Sequence, residues 1–191
     1  MTCSLDDLAS RVTVEPSGFE CELEGAGHRL NLWGRFESDW LGNFGLHLFA
    51  TDIDVVEAEA MKTRQGVWAA TFLLQSPTRG PLRHDFLQMA RRSPRAVPVL
   101  PTPVISISVR LSNEEPGHVY ANVVGKDSSG LVAHVLAHFA RFGLRPRRCF
   151  IRTRDGEVDD WFWLAPVTAP SSAVVSEQAL ERDWRSASDS Y

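Results

Sequence analysis

A run of small and polar residues offers the clearest chemistry in the chain: Asp127, Ser128, Ser129, Gly130, Leu131 and Val132. A loop of this kind that enters a helix exposes unpaired backbone N–H groups at the positive end of the helix dipole, and both attract a carboxylate. The amides of Gly130 and Leu131 are predicted to hold that carboxylate, and Asp127 to accept from an ammonium group. The run therefore predicts a site for an α-amino acid. The alternative is that Asp127 or Ser128 only caps the helix and nothing binds.

Other candidates for chemistry are weaker. His134 and His138 stand four residues apart on a predicted helix and could share a metal ion, but no third ligand accompanies them, so we expect two solvated side chains and no metal. The chain has no Walker-type phosphate loop and no Gly-x-Ser-x-Gly elbow, and Ser128 and Ser129 lack an identifiable base. We therefore expect no catalytic activity and no cofactor.

Arginines are concentrated in the run RFGLRPRRCFIRTR, from Arg141 to Arg154. On an extended strand Arg148, Phe150 and Arg152 share one face, and Trp161 and Trp163 share one face of the next strand. The pattern predicts a basic and aromatic patch on an open sheet face, the layout by which RNA-recognition folds stack bases. Acidic residues in the neighbouring strand would neutralise much of this charge, so a protein interface is favoured over RNA.

The elements that position these residues follow a simple order. A strand at Val119 to Val124 precedes the DSSG loop, and a helix with apolar residues at helical spacing follows it and ends at Gly143. Two strands joined at Asp155-Gly156 come next, since Asp-Gly between extended segments is a hairpin signal. A polar helix over residues 177–185 closes the series.

The same order is written twice. TRQGVWAATFLL, from Thr63, echoes TRDGEVDDWFWL, from Thr153, and Gly34 aligns with Gly125. Self-similarity at a fixed offset, here the ninety residues between Thr63 and Thr153, indicates a duplicated folding unit. In the first copy the loop is altered and bulkier, so only a degenerate second site is expected there, at Glu37, Ser38, Asp39, Trp40 and Leu41.

We therefore expect an α+β fold of two tandem ferredoxin-like modules (βαββαβ), each an antiparallel sheet with helices on one face. The first module is predicted over residues 10–95 and the second over 104–187, with a proline-rich linker at 96–103. RVTVE near the N-terminus is expected to open the first module. The alternating segment ISISVRL could complete the first module or open the second.

The stretch from Tyr120 to Leu164, with its Asp-x-x-Gly-Leu turn, resembles an ACT domain, and the first copy resembles a more divergent one. The tandem arrangement is similar to the paired ACT modules of bacterial nitrogen-sensing uridylyltransferases, without their catalytic segments. The resemblance implies a regulatory protein that senses an amino acid or a similar small molecule. A pure interaction module that binds nothing small is the alternative.

One strand is acidic in the first copy where its equivalent in the second copy is basic and aromatic. Glu57 and Glu59 align with Arg148 and Phe150, which suggests that the two sheets or their edges meet within one chain or across a homodimer. These residues, with Arg152, Trp161 and Trp163, form the predicted interface.

Composition limits which partners and which location we expect for the protein. A net charge of −4 and a pI near 5.9 give no overall attraction to nucleic acid or anionic lipid. Three cysteines without CxxC spacing argue against disulfides and a zinc site. MTCSLDDLAS carries two acids and no long apolar run, and no stretch has the length to cross a bilayer, so we expect a cytoplasmic protein without membrane partners.

Overall fold

The computed structural model describes residues 4–12, 15–77, 80–94, 105–115, 117–167 and 178–182. The helices and strands in chain order are α1 (Leu5–Arg11), β1 (Ser17–Glu24), β2 (Gly27–Gly34), α2 (Trp40–Ala50), β3 (Asp54–Lys62), β4 (Trp68–Gln75), α3 (Phe86–Arg91), β5 (Ile105–Leu111), β6 (Val119–Lys126), α4 (Leu131–Arg141), β7 (Leu144–Arg154) and β8 (Glu157–Pro166). Residues 178–182 are also helical. The fold is α+β, as predicted.

The strands that the structure describes form one antiparallel sheet of eight strands, in the order β1-β2-β4-β3-β7-β8-β6-β5. The halves of the chain meet at the centre, where β3 pairs with β7 and Ala58 lies opposite Ile151. Each half contributes its strands in mirrored order, with the first strand of the half at the outer edge. The two halves therefore share one continuous sheet.

Equivalent backbone features recur in the two halves. Gly34 and Gly125 both have φ of 154°, and Asp52 and Gly143, which follow α2 and α4, have φ of 53° and 68°. The register also shifts at matching places, between Val55 and Glu57 in β3 and between Pro146 and Arg148 in β7. These matching backbone features show that the repeat in the sequence is also a repeat in the backbone structure.

The hairpin between β7 and β8 forms as its sequence predicts. Asp155 and Gly156 both have positive φ, of 53° and 76°, which is the geometry of a two-residue type I′ turn. Arg154 and Glu157 pair directly across it. Along β8 the buried residues Val158, Asp160, Phe162 and Leu164 alternate with outward-facing ones, which fixes the register of the strand.

One face of the sheet carries the main core, under α2, α3 and α4. Phe44 of α2 packs against Phe72 of β4, and Phe139 of α4 packs against Phe162 of β8, with ring centroids 5.1 and 5.5 Å apart. The helices α2 and α4 also contact each other, since a Cβ built on Gly45 would lie 3.3 Å from the Cβ of Ala133. A single core thus runs across both halves.

Helix α1 lies on the opposite face and was not predicted. Its Leu8 packs with Trp33 and Ala69, whose neighbours in sequence point into the main core. Ser4 begins the helix with a capping box, because its side chain accepts from the Asp7 N–H while the Asp7 side chain accepts from the Ser4 N–H. The expectation of helices on one face therefore holds for α2, α3 and α4 but not for α1.

Other boundaries differ from the prediction. Of the segment RVTVE, which was expected to open the first module, Arg11 ends α1 instead, and the first strand in the described residues is Ser17–Glu24; residues 13 and 14 lie outside the described ranges. The segment ISISVRL, as β5, pairs with β6 and so lies in the second half of the sheet. Apart from α1, the order of elements in each half is therefore ββαββα, rather than the predicted βαββαβ. The predicted linker at 96–103 lies outside the described residues.

None of the helices in the described parts of the chain is long and apolar enough to cross a membrane.

Candidate functional site

The predicted amino-acid turn links β6 to α4 and is closed by its own backbone. The Asp127 N–H donates to the Gly156 carbonyl at 2.9 Å, and the Leu131 N–H donates to the Ser128 carbonyl at 3.0 Å. Gly130 precedes the helix in a left-handed conformation, and no side chain caps the helix. One of the two amides expected to hold a carboxylate, that of Leu131, is thus already engaged.

Carboxylates surround this turn. The Ser129 hydroxyl donates to Oδ1 of Asp54, from the first half of the chain, at 2.8 Å. Burial raises the pKa of Asp127, and the nearby Asp54 carboxylate raises it further, while the Ser128 N–H opposes both effects. A ligand carboxylate would meet two negative side chains here. An ammonium group suits the turn electrostatically, but a carboxylate does not.

The cavity at the turn is small. It has a volume of about 30 Å³ and lies between the start of α4 and the α2–β3 corner, where Gly45 and Phe49 form its wall. A space of this size holds about one water molecule. The structure brings Asp127, Ser128, Gly130, Leu131 and Val132 to one place, but in this conformation it leaves no room for an amino acid.

The degenerate loop of the first half is divided between core and surface. Trp40 and Leu41 are buried, and Trp40 packs against Trp68 with ring centroids 5.4 Å apart. Glu37, Ser38 and Asp39 are exposed. Ser38 and Asp39 border a groove of about 190 Å³ between α2 and α4, away from the Trp40 ring. The five residues therefore do not form one site.

The predicted histidine pair is also split. His138 is buried beside Phe142, contrary to the expectation of an exposed side chain, while His134 is half-buried and its pKa is lowered by that burial. Within the described ranges, no group of three or more histidine, cysteine or acidic side chains is arranged to hold a metal ion.

The predicted acidic and basic interface residues meet in the middle of the sheet. Glu57 lies opposite Arg152 in the β3–β7 pairing. Nη2 of Arg148 lies 2.7 Å from Oε1 of Glu59. The contact suggested by the sequence is therefore made within one chain, at the junction of its two halves.

Aromatic side chains line the sheet face beyond this junction. The surface formed by Tyr120, Val124, Phe150, Trp161 and Trp163 is called the open face below. Trp161 and Val124 are each 43% exposed and Tyr120 is 36% exposed. The guanidinium of Arg152 lies 4.7 Å from the Phe150 ring and that of Arg148 lies 5.5 Å from the Trp163 ring. Among the described residues, no helix or strand covers the open face.

The matching face of the first half is covered. Trp33 and Ala69 lie under α1 and are 4% and 0% exposed. By the offset of the repeat their counterparts in the second half are Val124 and Asp159, and both are exposed. The two halves thus differ in whether a helix occupies this face.

Asp160 is a buried acid that the sequence did not single out. Its Oδ1 accepts from the Arg152 N–H at 3.0 Å, whereas Oδ2 has no hydrogen-bond partner among the described residues. Burial raises the pKa of Asp160 to about 7; the Arg152 N–H lowers it, and the carboxylates of Asp127 and Asp159 raise it. Alternation along DDWFWL placed Asp160 on the same side as Phe162, which was the available signal for its burial.

Comparison of the chain with known protein families, with curated proteins and with solved structures gave no match.

Proposed function

We propose that the protein is a non-catalytic binding module that holds an amphipathic helix of a partner protein on the open face. The observation that carries this proposal is the partial exposure of several aromatic side chains on one rigid sheet, with Trp161 at 43%. Exposed apolar patches of this kind characterise protein interfaces, in which Trp, Tyr and Arg are enriched.

The first half of the chain suggests which kind of partner segment fits the open face. There the same face is occupied by α1, whose Leu5, Leu8 and Ala9 pack against the Trp33 and Ala69 side. The sheet presents this surface twice, and a helix covers it in the first half alone. The open face of the second half therefore offers the equivalent position to a second helix. A partner helix with apolar residues at i, i+3 and i+4 would meet that requirement.

Charge further restricts the partner. On this side of the sheet stand Arg110, opposite Tyr120 in the β5–β6 pairing, and Arg152, which also lies opposite Glu57 in the β3–β7 pairing. Asp159 is engaged by the Asn122 amide at 2.8 Å. The partner helix is therefore expected to carry acidic residues along its flanks, as α1 does with Asp6 and Asp7.

The scaffold is suited to rigid presentation of the open face. We propose that each half is a ferredoxin-like unit whose edge strand comes first in the chain, and that the two units are fused through β3 and β7. Strand order and the matched backbone features support this description. A fused sheet holds Arg148 and Phe150 in register with Trp163 and Trp161.

Sensing of an amino acid at the Asp127 turn, as the ACT resemblance implies, is less well supported. The small cavity and the two carboxylates both count against it, and binding would require the turn to move away from α2. A homodimer through the open face is likewise a lesser alternative, since the acidic side chains nearest the junction are already opposite Arg148 and Arg152.

Site-specific photo-crosslinking in the source cells tests the helix-docking proposal. A photoreactive phenylalanine analogue replaces Trp161 in one variant and the exposed Ala137, on the helical side of the sheet, in the control variant. We expect a discrete protein to be captured from position 161 only, through a peptide with helical amphipathic spacing. The same products from both positions, or capture of a second copy alone, would refute the proposal.

A further inference from the structure

We infer that a second site, at the end of the sheet beside the open face, binds a nucleoside phosphate. The site is a pocket of about 360 Å³ whose walls include Lys62, Arg64, Arg147, Tyr120 and Trp163. Its size lies within the range of small-ligand sites in proteins, about 300–1,000 Å³. The pocket shares Tyr120 and Trp163 with the open face, whereas Val124 and Trp161 of the open face do not line it.

Three cationic side chains line this pocket, together with one carboxylate, that of Glu115. Lys62 and Arg64 come from the end of β3 and the turn that follows it, and Arg147 from β7. None of the three has an ion-pair partner among the residues that the structure describes. Like charges brought together cost free energy unless an anion joins them, so the arrangement fits a phosphate group, which arginine binds with two parallel hydrogen bonds.

A β-bulge brings Arg147 into position. Pro146 pairs with Leu164 and Arg148 with Trp163, which leaves Arg147 as the extra residue on β7. Pro146 and Cys149 are buried while Arg147 and Arg148 are both exposed, so the bulge turns two consecutive arginines away from the core. Bulges commonly re-aim side chains in this way beside functional sites.

Aromatic rings also line the pocket. Tyr120 and Trp163 meet edge to face, with centroids 6.4 Å apart and planes at 89°. A flat heterocyclic ring can stack on either of them, and stacking on an aromatic side chain accommodates any base. Glu115 and His118, whose side chains lie 3.4 Å apart, supply hydrogen-bonding groups at the rim. The cationic side chains can hold a phosphate and the aromatic rings can hold a base, so the ligand class that fits is a nucleoside phosphate.

Fluorescence titration of the full chain tests this assignment, because Trp163 lies in the pocket. The probes are the 5′-monophosphates of the four common ribonucleosides, the unphosphorylated nucleosides, and inorganic phosphate. We expect at least one nucleotide to give saturable quenching, with its nucleoside and inorganic phosphate each binding at least about tenfold more weakly. Absence of saturation with every nucleotide, or equal binding of a nucleotide and its nucleoside or phosphate, would overturn the assignment.

Two variants locate the site. Arg147→Gln should weaken nucleotide binding about tenfold or more, because it removes a charged hydrogen-bonding group from the phosphate. Arg154→Gln, which changes an exposed arginine of the same strand outside the pocket, is the matched control and should leave binding unchanged. Equal losses of nucleotide affinity in both variants would contradict a built site. So would a single-stranded oligoribonucleotide that binds more tightly than the nucleotides, with strong salt dependence, and is not weakened by Arg147→Gln. Since Trp161→Ala should not affect nucleotide binding, failure of this inference and failure of helix docking can be told apart.

Discussion

Protonation of Asp160 should control how the stability of the fold depends on pH. Burial raises the pKa of this carboxyl from 3.8 to about 7 in the folded chain. The folded state therefore binds the proton more tightly than the unfolded state does. Stability should increase as the pH falls from 8 towards 4, and the stability gained by protonation is lost as the pH rises through about 7.

The magnitude follows from the size of the shift. Each unit of pKa difference corresponds to about 1.4 kcal/mol, so a rise from 3.8 to about 7 makes the ionised carboxylate cost at most about 4 kcal/mol above pH 8. Asp160→Asn removes the charge and retains an oxygen that can accept from the Arg152 N–H. The variant should therefore be more stable than the wild type at pH 8, by about 1–4 kcal/mol, and this advantage should shrink steadily as the pH falls towards about 4.

Urea denaturation at several pH values between 5 and 8.5 measures this difference. Glu114→Gln, which removes one exposed negative charge from the β5–β6 turn, is the control for net charge. Its stability should run parallel to that of the wild type across the whole range. If the curve of Asp160→Asn were also parallel to the wild-type curve, the carboxyl would not titrate as the structure implies.

Three further predictions concern the junction and the core. Gly45→Leu should destabilise the fold by about 1–3 kcal/mol, because a side chain there meets α4. Gly42→Ala, where a Cβ has ordinary contact distances, should be neutral or stabilising by up to about 1 kcal/mol. Chemical denaturation compares the two variants, and equal effects would contradict the packing of α2 against α4. Glu59→Gln should cost less than about 1 kcal/mol in the same assay, since its pair with Arg148 is partly exposed, and a larger loss would make the pair a major stabilising contact. The thiol of Cys149, whose pKa is raised to about 12 by burial, should resist iodoacetamide at pH 8 until the chain unfolds, as mass spectrometry of the modified peptides would show; rapid labelling of the native protein would contradict its burial.

The regular parts of the fold were predictable because their signals are local. Asp155-Gly156 specifies a tight hairpin, and the alternation of apolar residues in β8 determines which side chains are buried. The apolar stripe of α4 likewise predicted a helix against the sheet. Hydrophobic periodicity and turn chemistry act over a few residues, so one sequence suffices to recognise them.

The joining of the halves and the fit of the turn depend on distant contacts. The sequence suggested that Glu59 and Arg148 belong near each other, but not that β3 and β7 would form one continuous sheet. Nor could it show that Asp54 of the first half would bond to Ser129 and help to close the predicted ligand turn. The capping-box residues Ser4 and Asp7 are a local signal from which α1 could have been predicted.

Hydroxyl-radical footprinting of the full-length protein tests the open face most directly, because it reports the exposure of each aromatic side chain separately. Trp161 and Tyr120 should be oxidised rapidly in the isolated protein, while Trp33, under α1, and Trp68, in the core, should be protected. Addition of the partner captured at position 161 should then protect Trp161. If Trp161 were as protected as Trp33 in the isolated chain, the protein would already cover this face itself, and the proposal of a docking surface would be wrong.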